Sequence, residues 1–188
     1  MLPSVLPFLS VVAFAGPAFA HPGHDASGFL HPFTGIDHLL AMLAVGIWAS
    51  FLGTKRKSAA VLVPGAFLAM MALGAVAGFA GMKLPLAEAA IVASVFVFGA
   101  LVVAAVRLPS AWAMAVAGLF SLFHGFAHAL EAPGSSPAAY ALSFLLATAL
   151  LLGAGWGLGK VVRRSVGDLG LRALGGLVMA GGVLVLAS

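Results

Sequence analysis

Histidines are concentrated in two short stretches of the sequence, and acidic residues accompany them. The residues concerned are His21, His24, Asp25, His31, Asp37, His38, His124, His128 and Glu131. The chain has no cysteine, so a metal ion would have to be bound by imidazole, carboxylate or backbone groups. Such ligands suit Ni²⁺, Zn²⁺, Co²⁺ or Cu²⁺, and residue types alone do not choose among these metals. The clustering predicts a metal site.

The second stretch, SLFHGFAHALE, aligns its ionisable groups on one face of a predicted helix. His124 and His128 are four residues apart, and Glu131 follows three residues later. With a rise of about 1.5 Å per residue, His124 and Glu131 are about 10 Å apart along the axis. We therefore expect His124 and His128 to chelate one metal ion, with Glu131 nearer the outer mouth of the site.

The first stretch, HPFTGIDHLLAM, contains a break followed by the start of an apolar helix. Pro32 and Gly35 suit a turn, after which Asp37 and His38 enter the first turns of the helix. Met42 is predicted one turn below His38 on the same face. Because a carboxylate beside a ligating histidine commonly orients its ring, we expect Asp37 to position His38 or to supplement it as a ligand.

The stretch HPGHD is a second candidate metal site. The first 20 residues are apolar and end in Ala-Phe-Ala, which is typical of a cleaved signal peptide. Cleavage after Ala20 would make His21 the mature N-terminus, with a free amine beside its imidazole. His24 and Asp25 would add ligands, and we expect this segment to capture metal. The alternative is a solvated, disordered terminus.

The composition places this chemistry in a membrane. Hydrophobic residues make up 63% of the 188 residues and charged residues 7%, far from the values of a soluble domain. Apolar segments approach the roughly 20 residues that cross a bilayer. They cover residues 35–53, 59–79, 86–106, 111–131, 139–159 and 168–187. The sequence predicts an all-α membrane helix bundle, with a signal peptide over 1–20 and one six-helix domain over 21–188.

Basic residues are distributed unevenly among the predicted linkers. If the mature N-terminus is outside, the first, third and fifth linkers are cytoplasmic, and the two outer linkers hold only Lys83. The cytoplasmic linkers hold Lys55, Arg56, Lys57, Arg107, Lys160, Arg163 and Arg164. This bias follows the positive-inside rule, so it indicates membrane orientation rather than nucleic-acid binding. We expect a bacterial cytoplasmic (inner) membrane protein with both termini on the periplasmic side.

This orientation brings the two histidine stretches together. The first helix would run inward and the fourth outward, so both stretches lie near the outer side. An ionised side chain at mid-membrane costs about 2.5–3.5 kcal/mol, so these groups should face the bundle interior. Glycine pairs at small-xxx-small spacing predict close helix packing. They are Gly74/Gly78, Gly153/Gly157 and Gly155/Gly159.

HPFTGIDHLLAM and FHGFAHALE resemble the two motifs of the HupE/UreJ family, small membrane proteins linked to hydrogenase and urease and regarded as nickel permeases. The resemblance covers the mature chain in size, segment count and motif order, although glycine is usual where this chain has Ala129. It implies transport of Ni²⁺, with Co²⁺ or Zn²⁺ as alternatives, and a link to hydrogenase or urease maturation. The site residues that it implies are His31, Asp37, His38, His124, His128 and Glu131.

Three functions remain open from the sequence. The first is a secondary metal permease, since no Walker-type nucleotide motif is present. The second is an intramembrane zinc hydrolase. It would use His38, His124 and His128 as ligands, Asp37 or Glu131 as base and Ser121 as a further participant. The third is a membrane metal sensor or accessory subunit. Few polar groups are available for a route through the inner half of the bundle; the candidates are Met42, Ser50, Met114 and Thr148.

Overall fold

The computed structural model describes residues 26–132 and 136–187, and the regular structure within these ranges is entirely helical. The helices are α1 (Ala26–Thr34), α2 (Ile36–Leu52), α3 (Ala59–Phe79), α4 (Ala87–Val103), α5 (Ser110–Leu130), α6 (Pro137–Val166) and α7 (Asp168–Ala187). The predicted all-α class is confirmed for this part of the chain. The signal peptide and the HPGHD stretch lie outside the described residues.

Four helices are long and apolar enough to cross a membrane by themselves: α3, α5, α6 and α7. Helix α2 reaches that criterion only together with α1, from which it is bent by 85°. Helix α4 is a shorter apolar helix. The chain is therefore a membrane protein with four candidate spans, or five if the bent pair is one span. The count of six spans stays a prediction.

Helix α2 is the central helix of the bundle. Its residues from Ala44 to Leu52 are all buried, and it packs against α3, α4, α6 and α7. A helix that is apolar on every side is buried by its neighbours, which explains its continuous hydrophobic sequence. Its 17 residues span about 25 Å, so α2 holds the two ends of the bundle at a fixed separation.

Glycines allow two helix pairs to approach until their backbones touch. A Cβ atom built on Gly155 of α6 would overlap the carbonyl group of Leu43 in α2. A Cβ atom on Gly125 of α5 would likewise overlap the carbonyl group of Met71 in α3. These contacts fix α5 against α3 and α6 against α2.

The predicted small-residue contacts are confirmed for two of the three glycine pairs. Gly74 and Gly78 face α5, and Gly155 and Gly159 face α2. The prediction is wrong for Gly153 and Gly157, since a Cβ built there would have no atom of the described chain within 4 Å apart from its own chain neighbours and helix backbone. These two glycines lie on another face of α6, because they are offset by two residues from the packed pair.

Two sequence expectations about helix boundaries are wrong. Helix α6 continues to Val166 instead of ending near residue 159, so three cations predicted in a linker lie on a helix. Lysine and arginine are good helix formers, and the Lys160 ammonium lies 4.2 Å from the ring centroid of Trp156. The helix ends at Gly167, whose φ of +79° is accessible to glycine without steric cost.

The second correction concerns the turn predicted around Pro32. Pro32 lies inside α1, and the chain breaks only at Gly35, where the backbone is extended. Proline removes a helical hydrogen bond, and a helix of nine residues is weak without packing. Packing is supplied by Gly28, whose Cα faces Tyr140 and Ser143 of α6. This contact holds α1 across the end of the bundle.

Candidate metal site

Four histidine rings from three helices converge where α2 begins. The ring centroid of His38 lies 4.6 Å from that of His124 and 4.7 Å from that of His128. The His31 centroid lies 5.0 Å from that of His128. His38, His124 and His128 are buried, whereas His31 is half-buried. We call these four side chains the histidine cluster; it joins residues from both sequence stretches.

Asp37 orients the His38 ring. Its Oδ1 atom accepts hydrogen bonds from His38 Nδ1 at 2.9 Å and from the His38 backbone N–H at 2.7 Å. The carboxylate therefore holds the ring proton on Nδ1, which leaves the lone pair on Nε2. His38 Nε2 is buried and has no hydrogen-bond partner in the described chain. It is available as a metal ligand.

Ser94 orients the His124 ring in a comparable way. The Ser94 hydroxyl donates to the Ile91 carbonyl at 2.6 Å, and its oxygen lies 3.0 Å from His124 Nε2. Because a hydroxyl has one hydrogen, the second contact is donated by His124 Nε2–H. The lone pair is then on His124 Nδ1, which is buried and unpartnered in the described chain.

His128 is held by stacking instead of hydrogen bonding. Its ring lies 4.6 Å from the Phe144 ring of α6, at an angle of 13°. Both ring nitrogens are buried without a partner among the described residues. A buried polar group without a hydrogen bond costs about 1–3 kcal/mol. Binding of a divalent transition metal would offset such costs, and the chemistry of these imidazole donors fits that metal class, although the ligand atoms of His38, His124 and His128 do not all lie within 4.8 Å of one another.

Glu131 and His31 form the outer part of the cluster. Glu131 Oε2 lies 2.7 Å from His31 Nε2, on the short helix α1. His31, His128 and Glu131 each offer a ligand atom within 4.8 Å of the others. Within the described ranges, no other group of three histidine or acidic residues meets this spacing. The closest set of ligand atoms therefore differs from the predicted trio of His38, His124 and His128.

Other residues that the sequence suggested as participants are not members of the histidine cluster. Met42 is fully buried on α2 below His38. The Ser121 hydroxyl donates to the Gly118 carbonyl at 3.0 Å, within its own helix. His21 and His24 lie outside the described residues.

Sequence reasoning missed Ser94 and Phe144. A single serine in the apolar α4 and one phenylalanine among 14 carry little signal. Their roles arise only when α4 and α6 pack beside α5.

Comparison with known proteins identifies the family. The family model described as HupE / UreJ protein matches residues 9–185. The chain is also 42% identical over 183 residues to Protein HupE of Rhizobium leguminosarum bv. viciae, which covers 95% of this chain and 94% of that protein. No solved structure matches the chain significantly. The chain therefore belongs to the HupE/UreJ family.

Proposed function

We propose that this protein is a secondary transporter that takes up a divalent transition-metal ion, with Ni²⁺ as the first candidate, across the bacterial cytoplasmic membrane. The observation that carries the proposal is the set of buried imidazole nitrogens without partners, on His38, His124 and His128. Family membership supports it, as does the resemblance of both motifs to those of nickel permeases. The ion is cargo, and hydrogenase or urease maturation would be its destination.

A gradient of exposure suggests how the ion enters. The Glu131 side chain is 48% exposed and that of His31 is 31% exposed, whereas His124 and His128 are fully buried. The outer carboxylate attracts a hydrated dication, and the buried neutral imidazoles then replace its water molecules. The membrane potential supplies about 2.3 kcal/mol per charge per 100 mV, or about 4.6 kcal/mol for a dication moving inward.

Thr148 offers a next step beyond the histidine cluster. It lies one helical turn beyond Phe144, the residue that stacks on His128. Its hydroxyl oxygen is fully buried and has no partner in the described chain. Met42 adds a thioether below His38. Together these groups give a sparse polar route away from the cluster.

The proposal includes six spans after a cleaved signal peptide, with both termini on the periplasmic side. An uneven distribution of cations among the linkers supports this orientation. The hydrolase alternative is less well supported, because the Ser121 hydroxyl is bonded within its own helix. The HPGHD stretch is retained as a proposed capture site.

The test compares His124→Ala with Ser121→Ala. Both residues are fully buried on α5, and only the first belongs to the histidine cluster. We expect His124→Ala to weaken Ni²⁺ binding by purified protein at least tenfold and to abolish uptake of radioactive nickel by cells. Ser121→Ala should leave both unchanged.

The two readouts separate the alternatives. Equal affinity and stoichiometry in wild type and His124→Ala would exclude the cluster as the site. Metal binding without cellular accumulation by the wild type would contradict transport and favour the sensor or accessory function.

A further inference from the structure

Cations gather at the end of the bundle opposite the histidine cluster, where α2 ends. They line two cavities, of about 280 Å³ and about 400 Å³. The smaller cavity is lined by Lys55, Arg56 and Arg107, and the larger by Lys57, Lys160, Arg163 and Arg164, together with neighbouring residues. These are the residues that the sequence assigned to three linkers on one side of the membrane. We call the larger cavity the basic pocket.

The cations of the two cavities differ in their partners. In the smaller cavity, the Arg107 guanidinium lies 3.9 Å from the Phe51 ring centroid and donates to Thr54 Oγ1 at 3.0 Å. Arg107 therefore fastens two loops together. In the basic pocket, Arg163 lies 3.8 Å from Asp168 Oδ1, which does not line the pocket.

The other cations of the basic pocket have no carboxylate partner. Lys57, Lys160 and Arg164 make no ion pair with any residue that the structure describes. Among the residues that the structure describes, no acidic one lines the pocket. The pocket thus concentrates positive charge that the described part of the chain leaves without a carboxylate partner.

The remaining walls of the basic pocket are apolar or already bonded. Ser50 and Thr54 donate their hydroxyl hydrogens to backbone carbonyls within or beside α2, so these groups do not supply donors to a ligand. Val61 and Ala60, in the first turn of α3, form an apolar wall, and Val61 is 72% exposed. Trp156 adds an aromatic surface beside Lys160, as is common at membrane interfaces.

We propose that the basic pocket binds the phosphate headgroup of an anionic phospholipid. Lysine and arginine are the natural donors for phosphate, and basic pockets between membrane helices are known to hold such headgroups. The apolar wall at Val61 can contact the glycerol and acyl chains of a lipid, whereas a free phosphate ion has no apolar group that would contact it. Membrane orientation requires cations near the helix ends, but it does not require them to surround a cavity.

The experiment uses the full-length purified protein and native mass spectrometry. The probes are phosphatidylglycerol, zwitterionic phosphatidylcholine of the same chain length, and inorganic phosphate as a competitor. The variant Lys160→Gln/Arg164→Gln removes two cations from the basic pocket. The matched control Lys55→Gln/Arg56→Gln removes the same charge at the same end of the bundle. A conservative variant, Lys160→Arg/Arg164→Lys, keeps the charge.

We expect the wild type to retain phosphatidylglycerol in preference to phosphatidylcholine. Loss of Lys160 and Arg164 should weaken this retention about tenfold or more, while the matched control and the conservative variant retain it. Equal retention of both lipids would overturn the proposal, as would an equal loss in the matched control. Full displacement by millimolar inorganic phosphate would assign the pocket to the free ion and would also overturn it.

Discussion

The polar groups at the two ends of α2 differ in burial and in charge. Beside its first turn, buried imidazoles of α2 and α5 keep ring nitrogens without hydrogen-bond partners in the described chain. At its last turn, permanently charged side chains surround open cavities, where water or lipid can solvate them. Burying an unpaired polar group costs free energy, and the metal ion proposed for the first end would offset that cost. The second arrangement suits attachment to a membrane surface.

Helix packing separates these two environments. Helix α2 is buried continuously from Ala44 to Leu52, so its neighbours restrict its movement, and its regular rise keeps its two ends apart. The close contact at Gly155 holds α6 beside α2, and that at Gly125 holds α5 beside α3. These backbone contacts therefore help to position the helices that carry the histidine cluster.

The largest expected effect comes from Gly125→Ala, which would disturb the packing beside His124. The added Cβ atom would overlap the Met71 carbonyl group, so α5 would have to move away from α3. Overpacking of this kind costs about 1–3 kcal/mol. We expect a lower thermal unfolding midpoint in detergent together with loss of Ni²⁺ binding.

The matched control is Gly157→Ala, on α6. No described atom lies within 4 Å of a Cβ built there, and alanine favours a helix over glycine by about 1 kcal/mol. This variant should unfold at the same or a higher temperature and bind metal normally. Unchanged stability and metal binding in Gly125→Ala would show that the close contact does not position the cluster.

The sequence predicted most of the fold because its signals are strong and local. Residues 59–79 and 168–187 were predicted as helices with the observed ends, since apolar runs there meet charged or glycine-containing linkers. The extension of α6 was missed because cations interrupt the apolar pattern without interrupting the helix. Hydropathy reports burial in lipid, so it does not show where a helix ends when the helix continues beyond its apolar run.

The site was predicted only in part. Helical spacing aligned His124 with His128, and the orientation argument brought His38 to the same end. The pairing of His31 with Glu131 depends on the 85° bend between α1 and α2, which no spacing rule reveals. Ser94 orients His124 through a contact between helices whose residues are 30 positions apart, so only the structure reveals this role.

A smaller effect is expected for Asp37→Asn, which tests the orientation of His38. The amide oxygen can still accept the hydrogen bond from His38 Nδ1, but it lacks the charge that raises the basicity of the ring. Removing such a partner typically lowers metal affinity about 10–100-fold. Calorimetric titration of purified protein with Ni²⁺ should show this loss, and His38→Ala should show a larger one.

Asp168→Asn supplies the comparison at the other end of the bundle. Asp168 also lies in the first turn of its helix, and its neighbour is Arg163 at 3.8 Å. We expect no change in Ni²⁺ affinity for this variant. A similar loss in both variants would mean that net charge, and not the contact with His38, controls metal binding.

The smallest effect is expected for Glu131→Gln, and it should depend on metal concentration. Glu131 is half exposed, so its attraction for a dication is weakened by water and salt. The neutral variant should lower the uptake rate a few-fold at low Ni²⁺ and hardly at all at saturating Ni²⁺, and the difference should shrink as ionic strength rises. Glu88→Gln, at an exposed glutamate in the first turn of α4, is the matched control and should change neither rate.

Glu131 could instead be a ligand during translocation, and the same measurement distinguishes this role. One of its carboxylate oxygens lies within 4.8 Å of ligand atoms of His31 and His128, close enough for one ion to bind all three. Loss of a ligand from that set would lower the uptake rate at every metal concentration, including saturation. The size of this defect would not depend on ionic strength. If Glu131→Gln lowers uptake only at low metal concentration, Glu131 attracts the hydrated ion before imidazoles replace its water molecules. If the variant lowers uptake equally at all concentrations, Glu131 binds the ion while those water molecules are replaced.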